Sequence, residues 1–168
     1  VWLQDLPDYN DASAYNYAEK TKVYANDGTT LLAEFYLENR DPIDLDEMGT
    51  YVTKGTVATE DERFYQHNGI DVLGIARAVW VNVTHTGHEG ASTITQQFVR
   101  NTILADEATE STLKRKVREA YIAIKLEESY SKDEILQMYL NTINYGQGAY
   151  GIQAAAQRYY NKDAKDLT

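Results

Sequence analysis

Three consecutive carboxylates, Glu60, Asp61 and Glu62, precede an aromatic segment. Successive side chains on a helix point about 100° apart, so these three acids cannot all face one cleft. Glu60 would share a helix face with Thr56 and Phe64, and a carboxylate beside apolar groups loses solvation and becomes a stronger base. Glu60 is therefore the best candidate for a general base. The alternative is a solvated helix end, where acidic residues are common.

A second polar segment covers residues 90–101, is rich in hydroxyls and amides, and ends next to a cation. The free N–H groups at the start of a helix, together with these side chains, suit the binding of phosphate or sugar hydroxyls. Simple helix capping by Ser92 or Thr93 is the alternative, but it leaves paired glutamines unexplained. The binding candidates are Ser92, Thr93, Gln96, Gln97 and Arg100.

A basic cluster at residues 114–118 contains four of the 16 cations of an acidic chain. Lys114 and Arg118 would share one helix face, and Arg115 would share another with Glu119. Such a cluster can neutralise a diphosphate leaving group, with Arg115 gripping two oxygens and Lys116 offering a compact charge. We expect Arg118 to face solvent. The alternative is an ion pair on a solvated helix face.

The three histidines do not form a convincing metal site. His67 is expected to be a structural hydrogen-bonding residue. His85 and His88 lie in a glycine-containing loop with Glu89, and no full set of metal ligands accompanies them. We predict a solvated, mobile loop from about 83 to 90 and no bound metal.

Composition limits the function classes further. The formal net charge of −10 argues against general nucleic-acid binding, which needs a basic surface. There is no cysteine, which excludes disulfides and thiol chemistry. No apolar run of about 18 residues and no signal peptide is present, so a membrane anchor, where a parent protein has one, is expected outside this chain. The length predicts a single domain over residues 1–168.

The elements that must position these residues are mostly helices. Asn26-Asp27-Gly28 predicts the turn of a hairpin over residues 22–35. Apolar spacing and capping signals then predict a series of helices. Their expected ranges are 46–62, 71–83, 92–104, 112–129, a helix opened by Ser131, and 149–160. The fold class is mainly α with a small β-hairpin lobe near the N-terminus.

The order of these segments resembles the peptidoglycan glycosyltransferases, glycosyltransferase family 51. These are monofunctional transglycosylases or domains of bifunctional class A penicillin-binding proteins. The matching segments are Glu60-Asp61 with Phe64, His67 and Gly69; residues 90–101; residues 115–119; residues 134–141 with Gly146 and Gly148; and residues 150–162. The resemblance covers nearly the whole chain. It implies a lysozyme-like helical fold with a membrane-associated lobe, and a chain truncated at its C-terminus.

The resemblance also implies a reaction, the polymerisation of lipid II into glycan strands by inverting glycosyl transfer. Glu60 would be the general base and Glu119 the second catalytic acid. Donor phosphate and sugar would contact the binding candidates of residues 92–100 together with Lys114, Arg115 and Lys116. Asp61, Phe64, His67 and Asn141 would support the site. Moenomycin, which mimics the phospholipid donor in this family, is expected to bind.

The implied partners are lipid II, the growing strand, the membrane surface and a C-terminal transpeptidase domain of a parent protein. The implied location is the extracytoplasmic face of the bacterial cytoplasmic membrane. No cofactor is required by the sequence, with Mg²⁺ or Mn²⁺ at the diphosphate as an option. Arg100 stands where the family usually has Lys, and Ser111 where a basic residue often lies, for which Lys114 would compensate.

Two other functions stay open. A lysozyme-like glycoside hydrolase would use the two glutamates on a glycosidic bond, but it has no need of a basic cluster. A non-catalytic cell-wall interaction module would bind the same ligands without turnover.

Overall fold

The computed structural model describes residues 2–10, 21–35, 38–84, 90–109 and 112–168. The described part is mainly helical. Its helices are α1 (Thr50–Glu60), α2 (Val72–Thr84), α3 (Ile94–Asn101), α4 (Leu113–Ser129), α5 (Lys132–Thr142) and α6 (Ile152–Tyr160). Short 3₁₀ turns lie at Leu45–Glu47, Ala105–Glu107 and Ala164–Asp166. The lysozyme-like, mainly α class with a small β lobe is confirmed.

The β lobe begins with the predicted hairpin. Strands β1 (Thr21–Tyr24) and β2 (Leu31–Phe35) pair antiparallel. The Asp27 carboxylate closes the turn by accepting from the Thr30 N–H at 2.8 Å and the Thr29 N–H at 2.9 Å. Hydrogen bonds from the Thr30 hydroxyl and from these N–H groups lower the pKa of Asp27 to about 2. The carboxylate is therefore ionised, and the turn is held, under all ordinary conditions.

Local capping signals explain where several helices begin. Thr93 and Gln96 form a capping box at the start of α3, and Ser131 and Glu134 form another at α5. The Thr112 side chain accepts from the backbone N–H at the start of α4. These starts agree with the sequence prediction to within two residues, because each depends on residues three apart.

The core lies where α3, α4 and α5 pack together. Phe64 and Phe98 are fully buried among Ile94, Leu126 and Leu140. Burial of each such side chain stabilises the fold by about 1.5–3 kcal/mol. The site residues on α3 and α4 are thus carried by a rigid pair of helices.

The first predicted helix, residues 46–62, was wrong at both ends. Gly49 takes a positive φ of 81° and separates the 3₁₀ turn from α1. A Cβ there would stand 2.8 Å from the Lys165 Cα, so only glycine fits. At the other end α1 stops at Glu60, so Phe64 is not on its helix face. Phe64 instead belongs to the turns that follow.

The last predicted helix began too early. Residues Ala149–Tyr150 form strand β4, which pairs in parallel with β3 (Asn39–Arg40). The helix itself starts at Ile152, after Gly151 with a φ of 80°. The pairing joins positions about a hundred residues apart, and local periodicity carries no signal for it.

Among the helices that the structure describes, none is long and apolar enough to cross a membrane. His85 and His88 lie in the segment 85–89, outside the described residues, and so does Ser111. The predicted mobility of the loop therefore stays a prediction. The single-domain boundaries also stay a prediction.

Candidate active site

Glu60 is the last residue of α1 and is exposed. Its Oε2 accepts a hydrogen bond from Nε2 of Gln97 on α3 at 3.1 Å. The proposed base and one of the proposed binding glutamines are therefore in direct contact. This contact joins the first motif, residues 60–69, to the second motif, residues 90–101.

Two pockets meet at Glu60. One, of about 240 Å³, is lined by Glu60 together with Arg63, Arg77, Ser92 and Thr93 among others. The other, of about 340 Å³, is lined by Glu60 with Tyr51, Tyr139 and Tyr145. The larger cavity of about 820 Å³ lies elsewhere, between the hairpin and α6, and contains none of the predicted site residues. We place the candidate site at Glu60 because chemistry, rather than size, identifies it.

Asp61 points the other way, into the fold. It is buried, its Oδ2 accepts from the Ile94 N–H at 3.0 Å, and it contacts Nε2 of His67 at 2.9 Å. Phe64 packs edge-on against the His67 ring. These three predicted supporting residues therefore hold the turn after α1 against the start of α3. Their effect on the chemistry stays a prediction.

The four polar candidates of the second segment divide into two pairs. Thr93 and Gln96 are buried and are occupied by the α3 capping box, and the Thr93 hydroxyl also donates to the Gly69 carbonyl at 2.7 Å. Ser92 and Gln97 are half-buried; Ser92 lines the smaller Glu60 pocket, and Gln97 contacts the Glu60 carboxylate. We therefore expect Ser92 and Gln97 to be the ones that meet a ligand.

Glu119 lies on α4 with its side chain completely buried. It forms ion pairs with Arg115, one turn earlier, and with Lys116, whose Nζ is 3.2 Å from Oε1. The same Lys116 Nζ donates to the Ser92 hydroxyl at 2.8 Å, and Ser92 lines the smaller Glu60 pocket. A chain of contacts thus links the two proposed acids across the wall of one pocket.

The basic cluster is not a uniform cationic surface. Lys114 is exposed and the Lys116 side chain is 42% exposed, whereas Arg115 is buried. The expectation that Arg118 faces solvent was wrong. Its guanidinium is 4% exposed, binds the carbonyls of Trp2, Gln4 and Asp5, and pairs with Glu107.

Two further predicted site residues, Arg100 and Asn141, differ in their distance from Glu60. Arg100 lies in the last turn of α3, and its charge acts on Tyr139 next to Glu60. Asn141 is buried away from the Glu60 pockets. Its amide bonds both backbone groups of Ile43, at 3.1 and 2.9 Å, and fixes that segment to α5.

Among the residues that line the Glu60 pockets and that sequence reasoning missed, three bear on the site's charge: Tyr139, Tyr145 and Arg77. Burial, with the negative charge of Glu60 as a second cause, raises the pKa of Tyr145 to about 12 and raises that of Tyr139 further. The third is Arg77, a lone cation on an otherwise apolar α2. That isolation was the available signal for Arg77, whereas the tyrosines were hidden among 14 in the chain.

Comparison with known proteins identifies the family. The transglycosylase family model matches residues 27–168. The chain belongs to the transglycosylase family. The predicted enzyme class, a peptidoglycan glycosyltransferase, is confirmed by this membership.

The curated relatives that this chain resembles are penicillin-binding proteins. Penicillin-binding protein 1A of Rickettsia felis is 40% identical over 99% of this chain and 21% of its own length. Penicillin-binding protein 1F of Bacillus subtilis is 47% identical over 82% of this chain and 19% of its own length. Penicillin-binding protein 1A of Vibrio cholerae is 43% identical over 98% of this chain and 20% of its own length. The chain thus spans about a fifth of the length of these relatives.

Proposed function

We propose that this transglycosylase domain polymerises lipid II by inverting glycosyl transfer. Glu60 accepts the proton of the acceptor's GlcNAc 4-hydroxyl as that oxygen attacks C1 of the donor's MurNAc. The bond from C1 to the diphosphate oxygen breaks with its electron pair, and undecaprenyl diphosphate leaves. A β-1,4 linkage results, with inversion at C1.

The observation that carries this proposal is the position of Glu60 where two pockets meet. A base for this reaction must touch the acceptor oxygen while the donor carbon approaches from the other side. The Glu60 carboxylate is exposed to both pockets and is held by Gln97. No buried acid could serve in this way, and the neighbouring Asp61 is buried.

Cations at the smaller pocket suit a diphosphate. Arg77 lines it, and Lys116 reaches its wall through Ser92. Arg63 also lines it but is paired with Asp71, one of the acids of the same pocket. Cations fixed beside a leaving group stabilise the charge that develops as its bond breaks.

Glu119 holds Lys116 and Arg115 in place. We assign Glu119 to the second catalytic position. Because Glu119 is buried, it acts through its ion pairs with Arg115 and Lys116.

The same charges argue against the glycoside hydrolase alternative. A hydrolase releases a sugar hydroxyl rather than a diphosphate, so it has no use for cations paired with its second acid. The non-catalytic alternative is not supported by the open position of Glu60 between the pockets.

The optional divalent cation is not supported by the protein's own ligands. Among the described residues, no group of three or more His, Asp or Glu side chains is arranged to hold a metal ion. We therefore assign no step to Mg²⁺ or Mn²⁺.

We also propose the membrane surface as a partner, on the extracytoplasmic face of the cytoplasmic membrane. Helix α2 exposes Leu73, Val79, Trp80 and Val83, with exposed fractions of 59–80%. Arg77 of the same helix lines the diphosphate pocket. A lipid-linked substrate has its chain in the bilayer and its diphosphate at the surface, which matches this arrangement. A transpeptidase domain in the parent protein stays a proposal.

The test is polymerisation of labelled lipid II by the full-length protein and its Glu60→Gln variant. A positioned general base contributes about 10²–10⁴-fold, so we expect at least a hundredfold loss of rate. Glu128→Gln, an exposed acid of α4 paired with Lys125, is the control and should keep its activity. Near-normal polymerisation by Glu60→Gln would refute the assignment.

A further inference from the structure

A hydrogen-bonded chain runs from the core to Glu60. The Tyr139 hydroxyl on α5 donates to Oε1 of Gln97 at 3.0 Å. Nε2 of Gln97 donates in turn to Oε2 of Glu60 at 3.1 Å. Tyr139 is 2% exposed, so the inner end of the chain is fixed by the core.

The chemistry of the three groups sets the direction of these hydrogen bonds. An ionised carboxylate only accepts, so the side of Gln97 that faces Glu60 must be its NH₂ group. The amide oxygen of Gln97 then faces Tyr139, and it requires a donor. A phenol hydroxyl supplies one. The reverse orientation would place the amide oxygen against the carboxylate, where two acceptors repel.

The Glu60 carboxylate and the Tyr139 hydroxyl together select one orientation of the Gln97 amide. Gln97 is only half-buried, and a glutamine side chain loses considerable rotational freedom when it is held in one conformation. The buried phenol restrains that freedom. Its own hydroxyl is carried on a rigid ring by a helix that packs directly on α3.

The phenol also stays a donor throughout the working pH range. Burial raises the pKa of Tyr139, and the negative charge of Glu60 adds to the shift, while the Arg100 cation opposes it. A raised phenol pKa means that the proton is retained at every pH at which the enzyme is assayed.

We infer that Tyr139 is a positioning residue that orients the Gln97 amide so that its NH₂ group holds the Glu60 carboxylate toward the acceptor. Tyr139 acts through Gln97 in this arrangement, although its ring also lines the Glu60 pocket of about 340 Å³. The inference rests on the proposed role of Glu60 as the base.

A double-mutant cycle in the full-length protein tests the inference. Tyr139→Phe removes one oxygen and keeps the ring, and we expect kcat for lipid II polymerisation to fall about 10-fold or more with little change in KM. If Tyr139 acts through Gln97, Tyr139→Phe should cost nothing further in a Gln97→Ala background. Additive losses would overturn the inference.

The control is Tyr65→Phe. Its hydroxyl also bonds to α5, donating to Asp133 at 3.0 Å, but it lies outside the two Glu60 pockets. We expect this variant to keep wild-type kinetics. A loss in Tyr139→Phe no greater than in Tyr65→Phe would show that the phenol has no specific role.

The Gln97→Ala background also separates positioning from general destabilisation. A merely structural loss would lower the rate of Tyr139→Phe in either background, whereas a loss that acts through Gln97 appears only where Gln97 is present. The Glu60→Gln variant keeps the two hypotheses apart, because its retention of activity would refute the proposed function whatever Tyr139 does.

Discussion

Adjacent residues in the first motif have opposite surroundings. Glu60 ends α1 with its carboxylate in the open, and Asp61 turns inward to the start of α3. An acid that accepts a backbone N–H at a helix start is already committed to holding that helix. The division of labour follows from where the helix ends. It explains how two neighbouring acids serve different purposes.

The cations of α4 also differ in exposure, as the two neighbouring acids do. Arg115 was expected to be the main phosphate ligand, but its guanidinium is buried against Glu119. Lys116 is more accessible and already contacts the pocket wall at Ser92. Ligand affinity should therefore depend more directly on Lys116. Arg115 should affect ligand affinity indirectly, through its ion pair with Glu119.

Lys116→Ala should weaken moenomycin binding about 10- to 100-fold, because a hydrogen bond to a charged group contributes roughly 1.5–3 kcal/mol. Calorimetry at fixed salt measures it, since screening acts over roughly 8 Å at physiological ionic strength. Lys125→Ala is the matched control, a lysine of the same helix paired with Glu128. Arg77 cannot serve as a control, since it lines the Glu60 pocket. Equal affinities of the two lysine variants would contradict a role for Lys116.

At the scale of elements, the sequence predicted the helix starts and the turn, which depend on neighbouring residues. Capping residues three apart placed the starts of α3 and α5, and an Asp-Gly turn placed the hairpin. It failed where distant backbone decides. The helix break at Gly49 depends on Lys165, and Arg118 is buried by carbonyls of residues 2–5, more than a hundred positions away. Periodicity within one helix cannot reveal such partners.

The contact of the first motif with α4 gives an element-scale prediction. Gly69 has a φ of 88°, and a Cβ there would stand 2.7 Å from the Ile124 nitrogen. Gly69→Ala should therefore force the motif away from α4 and destabilise the fold by roughly 2–4 kcal/mol, from overpacking and a strained backbone. Thermal unfolding measures the change.

Gly55→Ala is the matched control for this substitution. Gly55 lies inside α1, and the position that a Cβ would take there is open space. Alanine should therefore be neutral or should stabilise the fold by roughly 0.5–1 kcal/mol. If Gly69→Ala unfolds at the same temperature as Gly55→Ala, the close approach of the motif to α4 is wrong.

At the scale of the whole molecule, the candidate site depends on α2, α3 and α5 lying close to Glu60 of α1. The order of motifs along the chain predicted which segments take part, and the family comparison confirmed the class. It did not predict that Tyr139 and Arg77 line the pockets of the site. Those facts depend on the packing of α2, α3 and α5, which single-sequence patterns do not specify.

The acidity of the molecule makes its association with lipid depend on apolar contact. With a net charge of −10, the chain as a whole is repelled by anionic surfaces. Among the residues that the structure describes, the exposed face of α2 offers a large apolar helix side beside the Glu60 pocket. Neutral phosphatidylcholine vesicles isolate this contribution because they carry no net charge. Binding to them should therefore be weakened by a single charge placed on α2.

Trp80→Glu in the 168-residue chain should reduce co-sedimentation with such vesicles at least about 10-fold. Trp80 is 67% exposed, and burying a large apolar side chain contributes about 1.5–3 kcal/mol, which the substitution removes while adding a charge that resists burial. Tyr160→Glu is the matched control, since Tyr160 is an aromatic of α6 with the same exposed fraction of 67%. We expect that variant to bind like the unaltered chain. Equal binding of the Trp80 and Tyr160 variants would show that α2 does not form the membrane-facing surface. The proposed placement of the lipid-linked substrate, with its diphosphate near Arg77 of α2, would then be wrong.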